Sequence, residues 1–300
     1  MKRKLIQIGN STLLLSVPRD WVKANNLSKG DEVEIVAENE KLNVFCESRS
    51  KKERLTIDLH DYKGMMPRLL YATYKMGIDE LDLRWQDPTM LEKIKSVIWK
   101  EASGFEIIDQ SQNHCTIVNV SGKIDDFSNL IRRLFLVTLT MAEETIGAVQ
   151  KKGSMKNILY LEQENNRLTT ILTRAINKFG SYGYRKIGPL YYVVQELEKI
   201  GDQYKYLATS IESMEPSAKK EIIELLEQSS ALLRRVYDLF YTFKGEEAEV
   251  IKDQRNELIN KISKQFNNKL TPYETMLLSH SLSIITRAFD LTTSIIILKL

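Results

Sequence analysis

Cysteine is nearly missing from this chain. Its 300 residues hold two, Cys46 and Cys115, far apart and each inside a strand-like run. That excludes a disulfide framework and a zinc pattern, and it suits a reducing cytoplasm. The three histidines, His60, His114 and His280, are isolated from one another and read as structural or solvated. No Ser/His/Asp or Cys/His arrangement stands out and no glycine loop cradles a phosphate, so the chain does not read as an enzyme. Charge of one sign is lacking too. Forty-three Lys and Arg against 40 Asp and Glu leave a net +3, so any nucleic-acid contact must come from a local patch. No apolar run reaches the roughly 20 residues needed to span a bilayer. The Ile295–Leu298 run reads as a buried helix end, and no apolar core of an export signal follows the basic N-terminus. The expectation is a cytoplasmic protein without membrane insertion, and its length suggests two or three domains.

What is present begins with a long helix over 184–212. Leu190, Val194, Leu197, Gly201, Tyr204, Ala208 and Ile211 recur at spacings of four and three, which predicts one buried seam. Glu198 and Asp202 stack one turn apart along its edge, where like charges repel and an intervening cation would reverse the sign. Lys199 and Lys205 ease the pair if it is merely solvated. Gly201 opens room for a neighbouring helix at a cost of roughly 1 kcal/mol relative to Ala.

Residues 1–48 read as four short strands and one helical turn: strands near 4–8, 13–17, 32–36 and 42–46, with Pro18 opening the turn. Turns fall at Gly9–Ser11, Ser28–Asp31 and Asn39–Glu40. So small a unit cannot bury a self-sufficient core, which predicts dimerisation. It holds seven Lys/Arg, mainly before residue 24, and seven Asp/Glu, mainly after it. Arg49, Lys51, Lys52 and Arg54 then form a basic hinge. Residues 54–122 follow the order β-α-β-α-β-β, a small sheet covered by helices. From 126 onward six helices in two sets of three predict antiparallel bundles over 126–212 and 216–300. Ser128 reads as the first cap, Lys151–Ser154 as the first break, Pro216–Ser217 as the start of the fourth helix, Gly245 as a separator and Thr271–Pro272 as the start of the sixth. The second helix, 156–179, turns Leu159, Leu168, Ile171, Leu172 and Ile176 inward. Glu162-Gln163-Glu164-Asn165 is echoed by Asp253-Gln254-Arg255-Asn256, an internal duplication.

Two resemblances attach to these residues. The order Ile8-Gly9-Asn10-Ser11, Val17-Pro18, Leu27, Gly30-Asp31 and Val33 resembles the AbrB/MazE/SpoVT swapped-hairpin domain. That resemblance implies two interlaced copies with basic residues on DNA, here Lys2, Arg3, Lys4, Arg19 and Lys23. Asn10 would shape the turn. Leu197-Glu198-Lys199-Ile200-Gly201-Asp202 resembles the Leu-Glu-Arg-Ile-Gly-Asp signature of PhoU proteins, regulators of phosphate uptake, with Lys199 where Arg is usual and Gln203 where His is usual. It implies metal clusters held on three-helix bundles over 126–300.

Hard divalent or trivalent ions prefer carboxylate oxygens. Glu198 and Asp202, joined by Glu162, Glu143 and Glu144, and by Glu164, are the candidate ligands. In the second bundle Asp290 aligns with Asp202, but Thr286 replaces Glu198 and Arg287-Ala288-Phe289 replaces Lys-Ile-Gly, which leaves only Asp238, Glu249 and Asp253. The expectation is a multidomain α+β chain: a swapped-hairpin head, a small middle domain and a PhoU-like all-α body. The head would grip DNA while the bundles receive phosphate status. Alternatively the head only dimerises, and the bundles dock on a phosphate ABC transporter or a sensor kinase.

Overall fold

A computed structural model describes the chain apart from residues 1, 10–11, 39–40, 46–51, 63, 152–154, 213 and 216. Asn10, Ser11, the Asn39–Glu40 turn, Cys46, Arg49, Lys51, residues 152–154 of the expected Lys151–Ser154 break and Pro216 therefore lie outside the described residues, while Lys151 is still helical. The chain is a multidomain α+β protein, with a small β-rich region followed by a mostly helical part. It divides into two compact units, Met1–Arg54 and Leu55–Leu300.

In the first unit β1 (Leu5–Ile8) pairs antiparallel with β2 (Thr12–Leu15), Leu5 opposite Leu15 and Ile8 opposite Thr12. Pro18 caps α1 (Arg19–Ala24), its carbonyl accepting the Val22 N–H at 3.0 Å. The second strand stops earlier than 17 because Ser16 to Pro18 carry the chain into α1, Pro18 itself in the extended region. The third starts later than 32. The Asp31 carboxylate accepts the Ser28 N–H at 2.8 Å, and this turn delays β3 (Glu34–Glu38), which pairs with β4 (Lys41–Phe45).

The second unit opens with β5 (Arg54–Asp58), α2 (Met66–Met76), β6 (Glu80–Arg84), α3 (Met90–Glu101), β7 (Phe105–Gln110) and β8 (His114–Asn119). The sheet order is β5-β6-β8-β7. Strand alternation turns Leu81, Leu83, Phe105, Cys115 and Ile117 to one face, where they form a core with Leu70, Tyr74 and Ile94 of the two helices. The same unit continues as α4 (Phe127–Lys151), α5 (Lys156–Phe179), α6 (Ile187–Ile211), α7 (Lys220–Tyr241), α8 (Gly245–Phe266) and α9 (Pro272–Lys299). Helices α4, α5 and α6 pack on one another, as do α7, α8 and α9; α6 against α9 and α4 against α7 join the triplets. One continuous apolar core runs through all six.

Several boundaries and faces differ from the sequence reading, each for a local reason. The first long helix begins at Phe127, and Asp126, not Ser128, accepts the Asn129 N–H at 3.1 Å. The α6 seam is buried as expected, but the helix starts at Ile187. Tyr184 is held in a turn by Ser181, and Lys186 is extended. A second buried stripe on α6, through Val193, Glu196, Ile200 and Leu207, replaces the single seam because α6 packs on α9 as well as α4 and α5. On α5 Ile158 takes the fully buried place read for Leu159. Gly245 is the first residue of α8 and not a separator, and α7 starts at Lys220.

Glu274 explains the α7 start. Its carboxylate accepts the Thr271 N–H at 2.9 Å, completing a capping box at α9, and the Lys219 N–H at 3.0 Å, capping α7 as well. Helix α9 is long and apolar enough to cross a membrane by length and composition, contrary to the absence of such a run; half of that stretch is buried, and the helix packs on α6, α7 and α8.

The sheet is bolted to α5 at the corner between α2 and β6. Arg174, itself buried, donates through Nη1 to the carbonyls of Tyr74 (2.9 Å) and Ile78 (2.8 Å) and through Nη2 to Asp79 (3.1 Å). Asn177 donates to the Lys75 carbonyl at 2.8 Å and Lys178 to that of Gly77 at 3.1 Å. These carbonyls lie at or just past the α2 C-terminus and are met from another helix; that of Tyr74 also accepts the Gly77 N–H at 3.0 Å. Gly77 ends α2 at φ 97°, and a Cβ there would lie 3.2 Å from the Lys178 Cβ.

Candidate functional site

Two groups of residues carry the sequence-derived candidates, one in each unit. In the first unit, Lys2, Arg3 and Lys4 run directly into β1, and all three are exposed. Arg19 and Lys23 stand one turn apart on α1 and are exposed too. Lys52 and Arg54 of the basic hinge are likewise exposed. The ribbon beside these cations is apolar on both sides. Leu5, Leu13 and Leu15 share one face, Ile6, Ile8 and Leu14 the other, and all six are between 46 and 62 % exposed. An isolated two-stranded ribbon is marginal in water, and one exposing apolar side chains on both faces demands a cover.

In the second unit the α5–α6 groove brings Glu162, Glu198 and Asp202 together. Glu162 and Asp202 are each only 8 % exposed. Lys205 Nζ lies 2.7 Å from Glu162 Oε1 and 2.7 Å from Asp202 Oδ1. Lys199 Nζ reaches the other Asp202 oxygen at 3.3 Å and Glu198 at 3.6 Å. Asn166 Nδ2 donates to Glu162 Oε1 at 2.8 Å. Burial works against the Lys205 charge, but its bonds to Asp202 and Glu162 prevail and hold it above the usual ammonium range. At the end of α3, burial pushes the Glu101 carboxyl up; Lys75 opposes this, and the charges of Glu162 and Glu198 add to it.

Glu143 and Glu144 stay on the exposed face of α4, and Glu143 pairs with Arg234 of α7 at 3.0 Å. Glu164 is taken by Arg133 at 2.7 Å and Arg167 at 2.9 Å. Among the described residues, no group of three or more His, Cys, Asp or Glu is placed to hold a metal ion. What sits between the groove carboxylates is an ammonium.

The second triplet is organised differently. Asp238, Glu249 and Asp253 are exposed, the last two flanking Lys252 at 2.9 and 3.9 Å. Arg287, aligned with Lys199, reaches across to Glu196 of α6 at 2.6 Å and lines an open groove with Tyr192, Thr286 and Asp290. The sequence echo does not hold position for position. Asn165 is fully buried, donates to Thr138 at 2.9 Å and would lie 3.1 Å from a Cβ on Gly201; Asn256 is exposed, and Arg255 stacks on Phe289 at 5.2 Å.

The histidines and Cys115 offer little chemistry here. His60 is exposed; His114 faces Asp82 and Asp109, each at 3.7 Å; burial pushes His280 down, and it bonds Gln203 at 3.1 Å. Burial, with Asp82 and Asp109 nearby, pushes the Cys115 thiol up to about 12, so it stays protonated. Sequence reasoning missed Glu196, Arg174 and the second role of Glu274. Only Glu274 left a trace, in the Thr-x-x-Glu spacing of its capping box.

Comparison with known proteins bears on the first unit. Residues 6–45 match the family model described as antidote-toxin recognition MazE, bacterial antitoxin. Neither the curated proteins nor the solved structures contain a match to the chain. The family model does not reach residues 126–300. The segment that the family model covers is a MazE/AbrB-like module.

Proposed function

We propose that the chain is a cytoplasmic, non-catalytic transcriptional regulator of phosphate uptake. In this reading two copies interlace through residues 1–48 as a swapped-hairpin dimer and hold DNA with Lys2, Arg3, Lys4, Arg19 and Lys23. The PhoU-like helical triplets receive phosphate status. The observation that carries the reading is the conjunction, inside the family-matched segment, of exposed cations with a ribbon apolar on both faces. A second copy would cover the ribbon, and pairing would double the cationic set to about ten. Counterion release then makes affinity for duplex DNA fall steeply with salt, by roughly 10³-fold or more between 50 and 200 mM.

The Arg3→Glu, Lys4→Glu double variant should lose retention on duplex DNA while remaining a dimer. A map of bound DNA in phosphate-rich and phosphate-poor cells should place sites beside phosphate-transport operons, and an empty map would reject the reading. The apolar ribbon by itself also favours a second reading, in which the head only dimerises and the bundles dock on a phosphate ABC transporter or sensor kinase. Salt-insensitive, Arg3-independent behaviour would favour that one.

A further inference from the structure

We infer that Lys205 is the resident cation of the acidic groove between α5 and α6, its ammonium holding the place that a metal ion would otherwise take. The inference stands apart from the DNA reading and draws on separate observations. Two carboxylates on different helices, each 8 % exposed, converge on one Nζ at 2.7 Å apiece. Acids so close and so little hydrated need positive charge between them. The carboxylates in or beside the groove are Glu101, Glu162, Glu198 and Asp202, and the cations that face them are Lys75, Lys199 and Lys205.

Lys199 lies at the rim and is about half exposed; Lys205 is the more enclosed and bridges the two helices. Two of its three N–H donors are used by the carboxylates, and its Nζ lies 4.9 Å from the centre of the Tyr206 ring. A metal ion would have to displace an ammonium tethered to α6. The first triplet should therefore close without a metal supply.

The test uses the full chain and Mn²⁺ as the probe. Wild type should show the same melting temperature in EDTA and in millimolar Mn²⁺, and no Mn²⁺ uptake at the groove in equilibrium dialysis. Lys205→Ala in EDTA should melt roughly 5–10 °C lower, as expected for a broken buried pair in a unit of this size. Mn²⁺ should recover at least half of that loss, and Lys205→Arg should need no recovery. Adding Glu162→Gln and Asp202→Asn to Lys205→Ala should restore stability and abolish the response to Mn²⁺. Should Lys205→Ala fail to fold, restored folding in that triple variant supports the inference and continued failure overturns it. Loss of wild-type stability in EDTA, Mn²⁺ uptake by wild type that vanishes in Glu162→Gln, or a Lys205→Ala chain indifferent to Mn²⁺ would each overturn it.

Discussion

The two compact units treat apolar side chains in opposite ways. In residues 55–300 leucines and isoleucines are gathered into two continuous cores, and even the buried Arg174 finds carbonyl and carboxylate partners. In residues 1–54 the six apolar side chains of β1 and β2 are exposed on both faces of their ribbon. The residue types are alike; what differs is whether the chain supplies its own second layer. A helical triplet does so locally, because each stripe meets the next helix after a short turn. A four-residue strand pair cannot, and in the proposed dimer the second copy would add the layer it lacks.

The sharpest way to break this contrast is to damage the body without touching the head. Arg174→Ala removes a buried donor from the Tyr74 and Ile78 carbonyls and a cation from Asp79, which keeps Lys178, and should cost the body about 2–3 kcal/mol. Urea unfolding followed at buried Trp85, in a Trp21→Phe, Trp99→Phe background, should show that loss, while dimer formation by the head persists. A loss below 1 kcal/mol would mean that the corner is held by something else.

The converse damage falls on the ribbon. Leu14→Asp should raise the dimer dissociation constant at least tenfold, about 1.4 kcal/mol, as seen by sedimentation, with the Trp85 transition unchanged. If the Trp85 transition moved with it, the two units would not be separable.

Acid should distinguish the units more gently. Burial pushes the Glu274 carboxyl up, but the N–H groups of Thr271 and Lys219 and the Lys219 charge outweigh it, so its folded pKa lies below the ordinary 4.5. Its contribution is therefore complete above pH 4.5 and is lost as pH falls through the lower folded value. Glu274→Gln should cost the body about 1–2 kcal/mol at pH 7 and flatten this part of the acid limb. An acid limb identical to wild type would remove Glu274 from the explanation. The smallest effect is expected at Gly201→Ala. The new Cβ would press on the buried Asn165 amide 3.1 Å away, while helix propensity improves by about 1 kcal/mol; the net loss should stay near or below 1 kcal/mol in the same urea assay.

How much could be read from residues alone follows the same division. The α6 seam was legible because Leu190, Val194, Leu197 and Tyr204 repeat at helical spacing, which burial against one neighbour imposes. Its other stripe was not, because Glu196 in the middle of it looks solvated until Arg287, 91 residues away, is seen beside it. Glu198, Asp202 and Glu162 were legible as candidates, whereas the position of Lys205 between two of them depends on how α5 meets α6. Arg174 left no signal, since its partners are mainly backbone carbonyls that every residue carries. The head was legible through its punctuation, Gly9, Pro18 and Gly30, because turns are local chemistry.

The bolt at the α2–β6 corner has a mechanical corollary. Three side chains of a 24-residue helix, Arg174, Asn177 and Lys178, grip five positions between Tyr74 and Asp79. Pulling α5 away from this corner would strip several backbone carbonyls of their side-chain donors at once, so the helix and the end of α2 part together or not at all.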